Sequence, residues 1–222
     1  MSIPENLNNI LKELPVNTKL VAITKNKTED KIMEAYNAGH RVFGENRMQE
    51  LVKKYENLPK DIEWHMVGHL QTNKVKYIAP FVSLIHSVDS KKLLAVINKE
   101  ALRNNRTIAC LFQLRIAKEE TKFGITFKEI TDIIASEDFK DFKNVTVNGL
   151  MGMATFTDDR ELVISEFRYL AECFEELKSS FFKSSEHFKE LSMGMSDDYK
   201  LALEQGATIV RIGSRIFGMK LS

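Results

Sequence analysis

Leu20-Val21-Ala22-Ile23-Thr24-Lys25 is the stretch that decides the fold. Its apolar residues make a buried strand, and the lysine stands where that strand gives way to a loop. Thr28-Glu29-Asp30 then opens a helix that closes at Ala38-Gly39, the glycine serving as its C-cap. The same order of strand, loop and helix recurs along the chain. Further strands are expected over residues 41–45, 62–67, 84–88, 108–116, 147–153, 191–194 and 209–213. Helical patterns separate them, such as residues 90–103 with apolar side chains at Leu93, Leu94, Val96 and Ile97. Residues 161–190, long, charged and rich in Phe, read as an extended helix and loop on the exterior. Strict alternation of strand and helix argues for an all-parallel sheet, and eight strands argue for its closure into an α/β barrel of the (β/α)8 (TIM) type. A doubly wound open sheet is the alternative.

Composition narrows the classes of function. At 222 residues, 43% hydrophobic and 28% charged, the chain suffices for one large core, so one domain over residues 1–222 is the economical reading. Lys plus Arg number 32 and Asp plus Glu 31, a net charge of +1 that gives no footprint for nucleic acid or an anionic membrane. The opening Met1-Ser2-Ile3-Pro4-Glu5-Asn6 lacks a basic segment followed by an apolar one, and no uncharged apolar run reaches membrane-spanning length, so a cytoplasmic protein is expected. Cys110 in a strand and Cys173 on a helix read as buried reduced thiols.

In a parallel barrel the C-terminal ends of the strands carry the chemistry. Lys25 there is a candidate Schiff-base lysine, since a lysine beside a buried wall loses its proton more readily and becomes an amine nucleophile. Gly44-Glu45-Asn46, Gly68-His69-Leu70-Gln71, Met193-Gly194-Met195-Ser196 and Arg211-Ile212-Gly213-Ser214 fall on the same face. Ser196 and Gly213-Ser214 follow the last two strands, where barrels hold phosphate with backbone N–H groups and hydroxyls, and a helix after Ser196-Asp197-Asp198 adds its N-terminus. Amine and phosphate cradle together suit a phosphorylated aldehyde or ketone, either pyridoxal phosphate or a sugar phosphate. Arg211 lies two residues before Gly213 and so points inward with it. Facing a pyridine nitrogen, it would donate a hydrogen bond, keep that nitrogen unprotonated and weaken the ring as an electron sink. Pairing with a barrel carboxylate is the other reading of Arg211.

Five motifs in order, Thr24-Lys25 after Val-Ala-Ile, Phe43-Gly44-Glu45-Asn46 with Gln49-Glu50, the run from His65-Met66-Val67-Gly68-His69 to Lys74, Leu191-Ser192-Met193-Gly194-Met195-Ser196-Asp197-Asp198, and Arg211-Ile212-Gly213-Ser214-Arg215-Ile216-Phe217-Gly218, resemble the pyridoxal phosphate homeostasis protein family. The resemblance implies a fold-type III barrel related to the N-terminal domain of alanine racemase. It implies pyridoxal 5′-phosphate as cofactor, held as an internal aldimine on Lys25. It also implies that Asn46 lies near the cofactor, that Ser196, Gly213 and Ser214 hold the phosphate, and that Arg211 faces the pyridine nitrogen. Apo-enzymes that need the cofactor are the implied partners of a monomer or weak dimer. Thr24 and Ser214 stand where the family mostly has Ser and Thr, and both swaps keep the hydroxyl.

Other constellations have plainer readings. His65 and His69 are four apart, but they sit on a strand and past Gly68, without the glutamate of a zinc-protease helix. Met153, Met193 and Met195 read as core and pocket packing. Lys118, Glu119, Glu120 and Lys122 read as a solvated loop, and Asp89-Ser90 as a helix N-cap. Two functions then compete: reversible binding, buffering and delivery of pyridoxal phosphate, or amino-acid racemisation through a cofactor-stabilised carbanion. Racemases of this fold carry a β-domain and borrow a tyrosine from a partner subunit. Here only Met219 to Ser222 follow the last motif, and none of the five tyrosines falls within a matched strand end, so the carrier is expected. A Schiff-base aldolase fits the generic barrel but not the motifs.

Overall fold

Leu20 and Ala22 pack outward against helices while Val21 and Ile23 point into a second, inner cluster, the period-two alternation of a strand with two buried faces. In the computed structural model, which describes residues 1–117 and 124–218, this strand is β1 (Lys19–Ile23). It is followed by β2 (Val42–Glu45), β3 (Glu63–Met66), β4 (Leu84–Val88), β5 (Ile108–Gln113), β6 (Val145–Met151), β7 (Glu190–Ser192) and β8 (Ile209–Ile212). All pair in parallel and in sequence order, and β1 closes on β8 through Lys19↔Ile209, Val21↔Arg211 and Ala22↔Ile212. The sheet is therefore the closed barrel that the alternating pattern implies, and the open sheet is excluded. The mixed-charge loop of Lys118, Glu119, Glu120 and Lys122 lies outside the described residues.

Around the barrel run α1 (Ile3–Glu13), α2 (Glu29–Asn37), α3 (Met48–Asn57), α4 (Val75–Ile78), α5 (Lys91–Arg103), α6 (Phe127–Ala135), α7 (Arg160–Ser180), α8 (Tyr199–Glu204) and α9 (Ser214–Phe217). Their starts are written locally. Ser2 and Glu5 form a capping box on α1, Thr126 and Glu129 another on α6, Ser90 caps α5 and Asp159 caps α7. Gly39, at φ +96°, ends α2 as expected. Trp64, Phe43, Phe112 and Phe167 fill the layer between barrel and helices, each burial contributing on the order of 2–3 kcal/mol. Cys110 and Cys173 are free and buried, burial pushing both thiols up. No helix among the described residues is long and apolar enough to cross a membrane.

Several strand limits differ from the sequence reading. The fifth strand stops at Gln113 rather than at residue 116, because Arg115 turns its backbone to Ile125 instead of to the next strand. The sixth runs Val145–Met151, starting two residues early to pair Val145 with Ile108. The three methionines do not cluster: Met193 is in the outer core, Met153 borders the inner one and Met195 is exposed.

Register between β6 and β7 depends on Gly149, which has φ +150° and lies so close to Glu190 that a Cβ would sit 1.8 Å from its carbonyl oxygen. Gly149→Ala is expected to cost about 2–5 kcal/mol, strain and overpacking together. Chemical denaturation measures this, and a loss below about 1 kcal/mol would contradict the close approach.

Candidate functional site

Lys25 continues the inward parity of Val21 and Ile23, two residues past the end of β1. It is exposed at the mouth, not held against a buried wall, because the strand ends at Ile23 and the chain turns at Lys25-Asn26. Lys25 shares one depression of about 440 Å³ with Ile23, Asn26, Lys27, Gly213 and Ser214. Lys27 donates from Nζ to the Gly218 carbonyl, and burial pushes its pKa down. Ser196, buried, accepts a hydrogen bond from the Gly213 N–H at 3.3 Å, so the loops after β7 and β8 meet there. Ser214 is exposed at the start of α9. Lys25, Ser196, Gly213 and Ser214 thus come together.

Asn46 and Arg211 stand apart from that depression. Asn46 follows β2, whose Gly44 is in register with Ile23, and Gly68 backs it so closely that a Cβ there would lie 2.2 Å from the Asn46 carbonyl oxygen. Arg211 is 5% exposed in the barrel interior, donating from Nη1 to Ser192 Oγ at 2.7 Å and from Nη2 to the Gly152 carbonyl at 3.0 Å. Burial pushes its pKa down to about 10, with Asp198 opposing, so it stays a cation at neutral pH. Its partners are therefore a hydroxyl and a carbonyl rather than a barrel carboxylate. A larger groove of about 910 Å³ flanks the serine loops from outside, with Asp197, Arg215 and the 88% exposed Phe156 in its walls.

The turn that carries Lys25 is braced from behind by a buried ion cluster absent from the sequence reading. Lys54, on α3, donates to the Thr24 carbonyl at 2.8 Å and to the Glu45 carboxylate, which also accepts from Thr24 Oγ1 at 2.5 Å. Glu50 Oε2 takes the N–H of Asn26, a residue at φ +58°, at 3.0 Å. Burial pushes the Glu45 carboxyl up, and Lys54 and Thr24 pull it back. A second unread network runs inside the barrel: Glu63 pairs with Lys19 and His65, His65 with His86, and His86 with Ser192. His65 therefore points into the barrel with Glu63, whereas His69 meets Asp89 at the rim, and Ser90 caps α5. The inward parity of residues 63 and 65 was the available signal.

A model of the family "Alanine racemase, N-terminal domain" matches residues 2–220. A pyridoxal phosphate homeostasis protein of Aquifex aeolicus is 43% identical over 201 residues, 90% of this chain and 86% of that one. PipY of Synechococcus elongatus, solved with PLP bound, superposes with a TM-score of 0.87 at 32% identity, covering 98% of this chain and 100% of that one. Alanine racemase of Clostridium difficile gives a TM-score of 0.71 at 14% identity, over 100% of this chain and 56% of that one, a likeness of fold alone.

Lys54→Met should strand the buried Glu45 carboxylate and lower stability by roughly 3–5 kcal/mol. It should also raise hydrogen exchange across residues 24–28. Replacing both partners, with Glu45→Leu added, should recover most of the stability. A double variant as unstable as the single would refute the ion-pair account.

Proposed function

The chain belongs to the pyridoxal phosphate homeostasis protein family, and on that premise we propose that it binds pyridoxal 5′-phosphate reversibly at the barrel mouth, buffers it and delivers it to apo-enzymes. The observation that carries this reading is the meeting of Lys25 with Gly213 and Ser214 in one depression. The donor set fits the cofactor: an amine, two serine hydroxyls, a backbone held close to β1 at Gly213, and an inward guanidinium. Pyridoxal 5′-phosphate supplies an aldehyde that condenses reversibly with a primary amine, a dianionic phosphate and a pyridine ring that accepts a hydrogen bond.

In this reading Lys25 offers the amine, and Ser196, Gly213 and Ser214 hold the phosphate with hydroxyl and N–H donors. Asn46 flanks the ring. Among the described residues two of the five guanidinium N–H groups of Arg211 are paired, which leaves donors for the ring nitrogen. Two free, buried thiols suit the reducing cytoplasm.

Racemisation needs proton carriers on both faces of the substrate carbon. The titratable side chains in the described lining of the depression are Lys25 and Lys27. Tyr199 is spent on Glu13, behind the barrel wall. Together with the donor role of Arg211, which leaves the ring nitrogen unprotonated, this supports a carrier without useful turnover.

Lys25→Ala should change stability by no more than about 0.5 kcal/mol, as for an exposed residue, and abolish covalent attachment of the cofactor to the protein on borohydride reduction. Borohydride reduction and peptide mapping of the wild type should place the label on Lys25, and a label on Lys27 would overturn the assignment. The loaded protein, incubated with L-amino acids in deuterated water, should show no appreciable α-proton exchange. Exchange near the enzyme median of about 10 per second would establish the racemase reading instead.

A further inference from the structure

A row of polar side chains crosses the barrel lumen, and the binding role proposed above leaves most of it unused. Lys19 and Glu63 begin β1 and β3 and so mark the floor, while Arg211, third in β8, approaches the mouth. Between them the contacts are continuous. Glu63 Oε1 lies 3.0 Å from His65 Nε2, His65 Nδ1 3.0 Å from His86 Nε2, His86 Nδ1 2.9 Å from Ser192 Oγ, and that oxygen 2.7 Å from Arg211 Nη1. His65, His86 and Ser192 are all fully buried.

Acid–base chemistry gives this row a direction. The His65 hydrogen bond first, and Lys19 second, hold Glu63 down at about 2, so at neutral pH its carboxylate only accepts. His65 therefore donates from Nε2. Burial pushes the pKa of both imidazoles down, so each carries one ring proton. The charged groups acting on them are Lys19, Glu63, Glu190 and Arg211. With its proton on Nε2, His65 must accept at Nδ1, and the donor is His86 Nε2–H. His86 must then accept at Nδ1, and the donor is the Ser192 hydroxyl. A lone pair of Ser192 Oγ takes the N–H of Arg211. Reversing any one link sets two donors or two acceptors face to face in a dry interior, at the cost of an unmade buried hydrogen bond.

We propose that His65, His86 and Ser192 are positioning residues that form a one-way hydrogen-bond chain from the Arg211 guanidinium to the Glu63 carboxylate, fixing the guanidinium in place so that one of its remaining N–H groups meets the ring nitrogen of the ligand. The orientation rests on the chain itself, whereas its use on a ring nitrogen rests on the pyridoxal phosphate reading above. The far end of the chain is the carboxylate of the first residue of β3, at the end of the strand opposite the mouth. A Gln at position 63 can accept or donate, so Glu63→Gln removes the one group that forces the direction.

Two measurements separate this from simple core packing. Side-chain 15N NMR of the ligand-free protein at neutral pH should show His65 and His86 both in the Nε2–H tautomer, and Glu63→Gln should populate the Nδ1–H form. Binding is then compared between pyridoxal phosphate and its carbocyclic analogue, in which a C–H replaces the ring nitrogen. Ser192→Ala, the smallest cut in the chain, should weaken pyridoxal phosphate about tenfold and leave the analogue unchanged. Glu63→Gln should move the same ratio in the same direction, and it serves alone if Ser192→Ala does not fold. An Nδ1–H imidazole in the wild type, or equal losses for both compounds, would overturn the proposal. Wild-type protein that binds neither compound would sink the binding role itself, a result distinguishable from failure of the chain because the tautomers are read without ligand.

Discussion

Parallel hydrogen bonding between β1 and β8 is the constraint from which the rest of the molecule follows. The Val21↔Arg211 and Ala22↔Ile212 pairs bring the first and last strands into register, although nearly the whole chain separates them in sequence. That register lays the turn of Lys25 beside Gly213 and Ser214, and the parity of the two strands turns Val21, Ile23, Ile209 and Arg211 to the interior. A slip of one residue would send Arg211 out among the helices and an apolar neighbour into the lumen. The closure thus sets both the shape of the mouth and which side chains face the lumen below it.

Two buried polar networks sit on either side of this seam. Behind it, Lys54, Glu45 and Glu50 take up the Thr24 carbonyl and hydroxyl and the Asn26 N–H, so the turn is held by charged side chains from β2 and α3. Below it, the inner row ends on Arg211. Buried charges of this kind contribute little net stability, since desolvation offsets most of the attraction. Their effect is geometric. A site that must bind and release a small ligand gains from groups already in place, because less ordering is left to the binding step.

The same barrel recurs in alanine racemase, where the likeness is one of fold alone. A shared barrel fixes where strand ends point and leaves the chemistry to the side chains there. In this chain the depression at the mouth brings Lys25 and Lys27 beside Gly213 and Ser214.

The class of fold is legible in the sequence, because strands buried on both faces and capped amphipathic helices are local patterns, written within ten or twenty residues of each other. The sequence also showed which segments meet at the C-terminal face of the sheet, and so the candidacy of Lys25, Asn46, Ser196, Arg211, Gly213 and Ser214. Strand limits were less legible, since the end of β5 depends on where Arg115 finds its backbone partner in Ile125. Partnerships across the lumen were not legible at all. His65 and His86 come from neighbouring strands, and Ser192 lies 106 positions beyond His86. Nothing local to any of them states that they touch. Barrel closure is what brings His65 into a hydrogen-bond row, turns Lys54 inward to Glu45 and leaves Lys25 exposed. The physical reason is that hydrogen-bond partnership is set by distance in space, and distance in space is set by closure.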